Sequence, residues 1–583
     1  MESNRVIELT REQTAFVNRT GAFSVRACPG SGKTAATAGR IAAKLRSWTS
    51  AHQGIAALSF TNVAKDEIEL TLGRDFSAAT PVQYPHFIGT IDSFVDRYIF
   101  LPFGHLVMSC AKRPEFIGPP HDDREPIGLW MYWQSAECNQ SGCVLNDFTY
   151  GLSGELVCTS PKSHFDNCRG DHGVCSSKKA QLAKQGFATQ TDANYYAMRV
   201  LQDFPVVRVA LAYRFPCVML DEAQDTSDIQ MRILDLLVEG GCQDMALVGD
   251  PDQAIYEWRR ACPSVFVSKC TDAGADEGRM TESWRSSQHV CDFYAEVSSL
   301  PSAPKAVNPD HASYPYRPEV WAIDGEDYTV TVDKFIALCQ QHGVTSPAEI
   351  AVLCRGRELV RDLTGAGQQQ DALVPWKDRD RTSRNVTLSR FLFDRRQFAD
   401  GYRLLERTVY ETVMKKDTGD AVTMREKIRS YGVVKWRTKV SQLMAALPLT
   451  TDLKLRDWLD AANKVLPSYI PGLALQMKRD RKPNVYSALT VVDVFGTQQR
   501  VCTRGYTLGT VHSVKGETFL AVLFIAKHQA ANGQTYHTIL NSGIADNDEL
   551  RTVYVAMTRP RRILVLAVPR GDVAVWQARF GMS

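Results

Sequence analysis

A chain of 583 residues is too long for one compact core and points to several domains, while 44% hydrophobic and 23% charged residues are the proportions of an ordinary globular protein. A formal net charge of +3 neither requires nor excludes a polyanionic partner, and no apolar run approaches the roughly 18–20 residues of a membrane span. The N-terminus, MESNRVIELTREQ, lacks the basic start and apolar stretch of a signal peptide. With an odd count of 15 cysteines, several isolated in apolar runs (Cys217, Cys354), this points to reduced thiols and a cytoplasmic location.

In chain order, the first segment that carries chemistry is Ala27-Cys-Pro-Gly-Ser-Gly-Lys-Thr34. A short apolar run, Ala22 to Ala27, precedes it, and helix formers follow from Ala35. Strand, glycine turn and helix are the context that a phosphate-binding loop needs. Gly30 and Gly32 let the backbone wrap a phosphate with its N–H groups, with Ser31 between them. Lys33 reaches the β- and γ-phosphates, and the Thr34 hydroxyl can ligate magnesium. The first position is Ala27, where the general pattern has glycine.

Five cysteines (Cys138, Cys143, Cys158, Cys168 and Cys175) follow, with His164 and His172 close by. Four such ligands could hold structural zinc, but no two cysteines have CxxC spacing, which favours unpaired thiols in an irregular insert. Val218-Met-Leu220 then reads as a buried strand ending in Asp221-Glu-Ala-Gln-Asp225. A carboxylate at such a strand end points into the crevice where a P-loop sits. Asp221 is therefore the candidate magnesium ligand, and Glu222 the group that polarises the attacking water.

Another strand, Met245 to Asp250, runs into Pro251 to Arg259. Further on, Glu282 to Ser286 and Glu549 to Arg559 each carry an arginine beside an apolar or aromatic anchor. Guanidinium groups delivered to a γ-phosphate from another domain would couple hydrolysis to domain closure. Between Lys377 and Lys482, 24 Lys/Arg stand against 13 Asp/Glu, so a basic segment sits on an acidic remainder. It reads equally as a phosphate-contacting surface or as a solvated helical face.

Taken together, the ordered segments resemble the motifs of UvrD/Rep/PcrA-type superfamily 1A helicases, from residue 9 to residue 559. Leu9 to Gln13 resembles the Q motif, Leu58 to Asn62 motif Ia, and Gly89 to Ser93 motif Ib. Asp221 to Asp225 resembles motif II and Val248 to Ala261 motif III. Trp284-Arg285 is similar to motif IV, Thr510 to Gly516 to motif V, and Tyr554 to Arg559 to motif VI. The resemblance implies an α/β fold with two recA-like P-loop NTPase domains, parallel sheets with flanking helices, each carrying an inserted subdomain. It places domain 1A at residues 1–97 and 204–280, 1B at 98–203, 2A at 281–376 and 505–583, and a basic 2B at 377–504.

By the same resemblance the cofactors are ATP and Mg2+, and the partner is single-stranded DNA, RNA not being excluded, with 3′ to 5′ movement. Gln13 then reads adenine and Trp284 stacks on it, while Gln253, Arg285 and Arg559 face the γ-phosphate. Motif V has Lys515-Gly-Glu-Thr-Phe519 where the family often reads Lys-Gly-Leu-Glu-Phe, which leaves Glu517 as a ribose candidate. Phe60, Tyr256 and Trp258 are candidates to stack on bases, core packing being the other reading of the last two. Thr61, Asn62, Thr90, Ser93 and His512 are candidate sugar–phosphate contacts. Asp92 stands where the family has histidine, and an acid there would repel phosphate. The stretch His86 to Phe103 is similar to the helicase-like subunit of Gabija-type anti-phage systems. That likeness raises a second function, an ATP-hydrolysing nucleic-acid sensor that regulates a partner nuclease, with the insert Tyr98 to Asp203 as the docking element.

Overall fold

Short runs such as Ile55 to Leu58 and Cys217 to Leu220 are apolar at every position and buried on both faces, as the strands of a covered parallel sheet must be. The computed structural model describes residues 9–78, 82–117, 148–158, 173–255, 261–272, 279–323, 328–356, 359–360, 363, 376, 381–395, 397–413, 424–451, 453–477, 489–495, 506–530 and 533–582. The chain divides into two compact units, Met1–Val344 with Val511–Ser583, and Thr345–Thr510.

In the first unit, strands β1 (Ala22–Ala27), β2 (Ile55–Ser59), β3 (Phe87–Thr90), β4 (Cys217–Leu220), β5 (Asp244–Gly249) and β6 (Arg279–Met280) form one sheet. Their order is β6-β1-β5-β4-β2-β3, and every neighbouring pair is parallel. The period of two along a strand sorts side chains to opposite faces. Cys217 and Met219 join Phe16, Val25, Ile41 and Leu72 in one core, while Val218 and Leu220 join Phe94, Leu201, Leu234 and Phe266 in another.

Helices α1 (Arg11–Asn18), α2 (Lys33–Ser47), α3 (Asn62–Phe76), α4 (Gln190–Asp203) and α5 (Asp228–Glu239) flank the sheet. Thr10, Thr189 and Ser227 close capping boxes at α1, α4 and α5, and the Thr61 hydroxyl accepts from Ala64 at α3. Each such cap is worth about 1 kcal/mol. Within the stretch 98–203, Phe100 and the inward face of α4 (Tyr196, Met198, Leu201) share the core beneath the sheet. The buried pair Lys179–Asp192, at 2.5 Å, ties the preceding helix to α4.

A second set of parallel strands in this unit, β7 (Glu319–Ile323), β8 (Phe519–Ile525) and β9 (Pro560–Pro569), pairs in the order β7-β9-β8. Helix α6 (Asp548–Met557) leads into β9. The other unit holds a parallel strand pair, Ile350–Cys354 with Thr507–Thr510. It also holds helices Arg381–Asp394, Phe398–Val413, Val433–Ala446 and Leu455–Val465, packed around Leu405, Trp436, Leu443 and Trp458. Much of the described part of the basic segment lies on these helices and on Met424–Tyr431. Among the described residues no helix is long and apolar enough to cross a membrane.

One ion pair anchors α2 to β5. Arg40 has no exposed surface, donates to Asp244 at 2.5 Å and to the Phe16 and Val17 carbonyls at 2.7 and 3.1 Å, and Lys44 also pairs with Asp244. Arg40→Ala leaves a buried carboxylate short of one of its two cations and two carbonyls without a donor. We expect a loss of about 3–5 kcal/mol in urea unfolding; a loss below about 1 kcal/mol would contradict the role given to this anchor.

Candidate active site

The loops that follow β1, β4 and β5 meet at the C-terminal edge of the sheet. After β1 the chain turns through Cys28 to Gly32, with Gly30 at φ +76° and Gly32 at φ +72°, in the left-handed region that glycine adopts without cost. A Cβ on Gly30 would also lie 2.5 Å from the Cβ of Arg285 and 2.7 Å from the Ser283 hydroxyl. The loop is fastened from that side: Trp284 N–H donates to the Gly30 carbonyl (2.8 Å) and Ser283 Oγ to the Pro29 carbonyl (3.0 Å). Gln13 is buried, its amide donating to the Ser31 carbonyl at 2.9 Å while its carbonyl oxygen accepts from Thr10 N–H. The Trp284 side of the loop is open, with that residue 37% exposed. Ser31 Oγ is buried without a hydrogen-bond partner among the described residues, and Lys33 is buried beside it. An orphaned hydroxyl, a buried ammonium and glycine amides at a helix N-terminus fit phosphate oxygens.

The acids stand opposite. Thr34 Oγ1 donates to Asp221 Oδ2 at 3.1 Å, so a hydroxyl and a carboxylate converge as the hard oxygen donors that magnesium takes. Burial and the neighbouring Glu222 carboxylate push Asp221 upward, a cost that a cation between it and Thr34 would remove. Glu222 adopts φ 55°, a strained position for a residue with a Cβ, and its N–H is held by Asp221 Oδ1 at 2.9 Å. Burial works against its charge, yet Lys33, Lys515 and a bond from Gln224 (2.5 Å) keep it ionised. Gln224 also accepts from Asp250 N–H at 2.9 Å, linking the loops after β4 and β5.

Cations arrive from distant segments. Arg559 is buried; its guanidinium donates to the Gln253 side-chain carbonyl (2.7 Å), Thr558 Oγ1 (2.9 Å), and the Val555 and Glu517 carbonyls. Arg285 donates to the Thr558 carbonyl at 3.0 Å. Among the described residues, every one of these acceptors is a neutral oxygen. Burial, with Arg285 adjacent, pulls the Arg559 pKa down to about 9, and burial lowers Arg285 too. Gln253 is oriented in turn by Asp250, to which its amide donates at 2.7 Å. Both guanidiniums feel the Glu222 carboxylate, yet neither has a charged hydrogen-bond acceptor, so each can turn its donors to a phosphate oxygen beside the loop.

Residues 9–106 and 173–273 match the UvrD/REP helicase N-terminal domain. The matched part of the chain is a UvrD/REP helicase N-terminal domain. It is 40% identical over 104 residues to an ATP-dependent helicase/nuclease protein of Streptococcus pneumoniae serotype 2, a stretch covering 17% of this chain and 8% of that protein. It is 34% identical over 112 residues to the ATP-dependent helicase/nuclease protein of Lactococcus lactis, covering 18% and 9%. The chain thus aligns with under a tenth of the length of these relatives.

In this UvrD/REP domain the candidate strand contacts sit on the loops after β2 and β3, on the other half of the sheet from the P-loop. Phe60 is half-buried and Asn62 exposed, while the Thr61 and Thr90 hydroxyls cap the N-termini of α3 and of the short helix Ile91–Val95. Ser93 is exposed and donates to the Thr90 carbonyl at 2.7 Å. His512 lies on the turn Val511–Val514. Tyr256 and Trp258 lie outside the described residues, as do Cys138, Cys143, Cys168, His164, His172 and the side chains of Cys158 and Cys175. Asp92 accepts from Asn194 (3.1 Å) and Gln230 (2.7 Å), so its carboxylate cross-links α4 and α5.

Two residues that sequence reasoning passed over complete the site. Lys515 bonds both oxygens of buried Asp225 (2.8 and 2.6 Å) and the Gln253 carbonyl (2.9 Å), and Arg551 holds the next carbonyl, Ala254, at 2.8 Å. For Arg551 the signal available was a cation beside Leu550, Val553 and Val555; Lys515, among His512, Ser513 and Glu517, carries no such signal.

Below the motif Ib loop, burial pushes Asp96 up to about 7, against a bond from Gln190 (2.9 Å) and with a further push from Asp92. The folded protein then holds a proton that the unfolded chain, near 3.8, has released. Stability from this group is greatest below about pH 4, falls as pH rises to about 7, and levels off above. Asp96→Asn should therefore gain stability on wild type between pH 5 and pH 8 in urea unfolding, by on the order of 1 kcal/mol or more. An unchanged difference at the two pH values would contradict the assignment.

Proposed function

We propose that the protein is an ATP-driven translocase or helicase on single-stranded DNA, moving 3′ to 5′. The observation that carries this reading is the pair of guanidiniums, Arg285 and Arg559, brought to the P-loop with only neutral oxygens as partners. A γ-phosphate would give both guanidiniums the charged acceptor that their present hydrogen bonds lack. Lys33, Ser31 and the loop amides hold the phosphates, and Trp284 and Gln13 border the base. Thr34 and Asp221 would hold magnesium, which would supply positive charge to offset that of the phosphates. Glu222 takes a proton from water as its oxygen bonds to the γ-phosphorus and the bond to the bridging oxygen breaks, releasing ADP and phosphate. Arg285 and Arg559 stabilise the charge that develops, in the manner of arginine fingers.

Coupling follows from the same contacts. Gln253 and Ala254 are gripped by Arg559, Lys515 and Arg551, and the chain runs on from them toward Tyr256 and Trp258, the candidate stacking residues. Loss of the γ-phosphate changes what Arg559 holds, and through Gln253 the position of that segment. A second reading is a nucleic-acid sensor that governs a partner nuclease, as in anti-phage defence. It is favoured by the relatives' designation as helicase/nuclease subunits. A strand-displacement assay on a tailed duplex separates the two, efficient unwinding by the isolated chain supporting the first.

Glu222→Gln should retain ATP binding and slow hydrolysis by roughly 10²–10⁴-fold, whereas Lys33→Ala should weaken ATP binding itself. Single-turnover hydrolysis and equilibrium nucleotide binding measure both, and wild-type turnover in Glu222→Gln would exclude the assigned base.

A further inference from the structure

The helix that begins at the motif Ib loop does not stop at Ser93. Ile91–Val95 runs directly into a π-helical turn, Asp96–Phe100, and on through Leu101–Phe103 and His105–Met108. Such π turns inside helices are frequent at functional positions. Ser93 and Arg97, both exposed, are four residues apart, neighbours on one face with Cβ atoms about 6 Å apart. Arg97 opens a pocket of about 360 Å³ that His105, Lys112 and Arg113 also line. Among the described residues lining it none is acidic.

These cations are positioned. The Arg97 guanidinium lies 5.3 Å from the centre of the Tyr98 ring, and Lys112 Nζ lies 4.8 Å from that of Phe187. The strand Glu115–Phe116, paired with Phe187–Ala188, fixes the Lys112-Arg113 segment at the rim. The neighbouring acid, Asp96, is buried and turned inward, its carboxylate accepting from Gln190 at 2.9 Å. Arg97, Lys112 and Arg113 bring three permanent positive charges to one cavity, which suits a multiply charged anion.

We propose that this pocket binds the phosphodiester chain of the nucleic acid, continuing the path from Thr90 and Ser93 along the same helix. The ligand chemistry is a run of phosphate monoanions contacted through Arg97 and Arg113, without base readout. This inference rests on the nucleic-acid reading of the motor. A free phosphate or pyrophosphate shares the chemistry, and the test separates the two sources.

The full chain is titrated against a fluorescently labelled oligothymidylate and a tailed duplex over a range of salt concentrations. Arg97→Ala/Arg113→Ala should bind more weakly by about 10-fold or more at low salt, with a salt slope shallower by roughly 1–2. Arg97→Lys/Arg113→Lys should recover most of the slope, and ATP hydrolysis without DNA should match wild type in both. Unchanged affinity and slope in the alanine variant, with wild type binding DNA, overturns the pocket alone. Failure of wild type to bind any strand overturns the nucleic-acid reading with it. Millimolar pyrophosphate that binds wild type but not the alanine variant, with DNA binding equal in the two, assigns the pocket to a free anion and also overturns the proposal.

Discussion

The bond between the Arg559 guanidinium and the Gln253 side-chain carbonyl, 2.7 Å long and buried at both ends, joins parts of the chain 306 residues apart. A guanidinium in that position is costly, because burial and Arg285 oppose its charge more than Glu222 and Asp250 support it, and its hydrogen-bond acceptors are neutral. Proteins retain such a group where a ligand supplies the compensating charge. The rest of the site is arranged around this constraint. Asp250 turns Gln253 toward the arginine, Gln224 ties Asp250 to the acids after β4, and Lys515 and Arg551 secure the backbone carbonyls of Gln253 and Ala254. A change in the anion at Arg559 is thus a change in the contacts of one short segment.

The sheet order separates the nucleotide-site loops from the loops proposed to meet a nucleic-acid strand. β1, β5 and β4 are adjacent and carry the phosphate loop, the Gln253 loop and the acid pair. β2 and β3 lie beyond them, and four strand spacings, about 19 Å, separate β3 from β1. All these loops leave the same edge because every pair is parallel, which is where open α/β sheets place their ligands. The capping threonines Thr61 and Thr90 therefore begin helices on the β2–β3 half, while Gly32 begins α2 on the β1 half.

What was legible in the sequence was local. An apolar run, a glycine turn and a helix former identify β1, the P-loop and α2 within 26 residues, and Val218 to Asp225 reads the same way. What was not legible depends on contacts between distant segments. Lys515 meets Asp225 across 290 residues and Arg551 meets Ala254 across 297, and neither residue carries a local pattern that names its partner. Asp92 shows the same limit. As a residue type it argued against a phosphate path, yet its carboxylate is occupied by Asn194 and Gln230, 102 and 138 residues away. The stretch 98–203 read as a separate insert from motif spacing, whereas Phe100 and α4 lie in the core under the first sheet.

The central claim is that Arg559 and Gln253 act as one unit on the γ-phosphate. A double-mutant cycle on single-turnover ATP hydrolysis in the presence of single-stranded DNA tests it most directly, using Gln253→Ala, Arg559→Ala and the pair. If the two work through one bond, the double variant should be no more than about threefold slower than Arg559→Ala, giving a coupling energy on the order of 1–3 kcal/mol. Losses that multiply, with coupling near zero, would contradict the account.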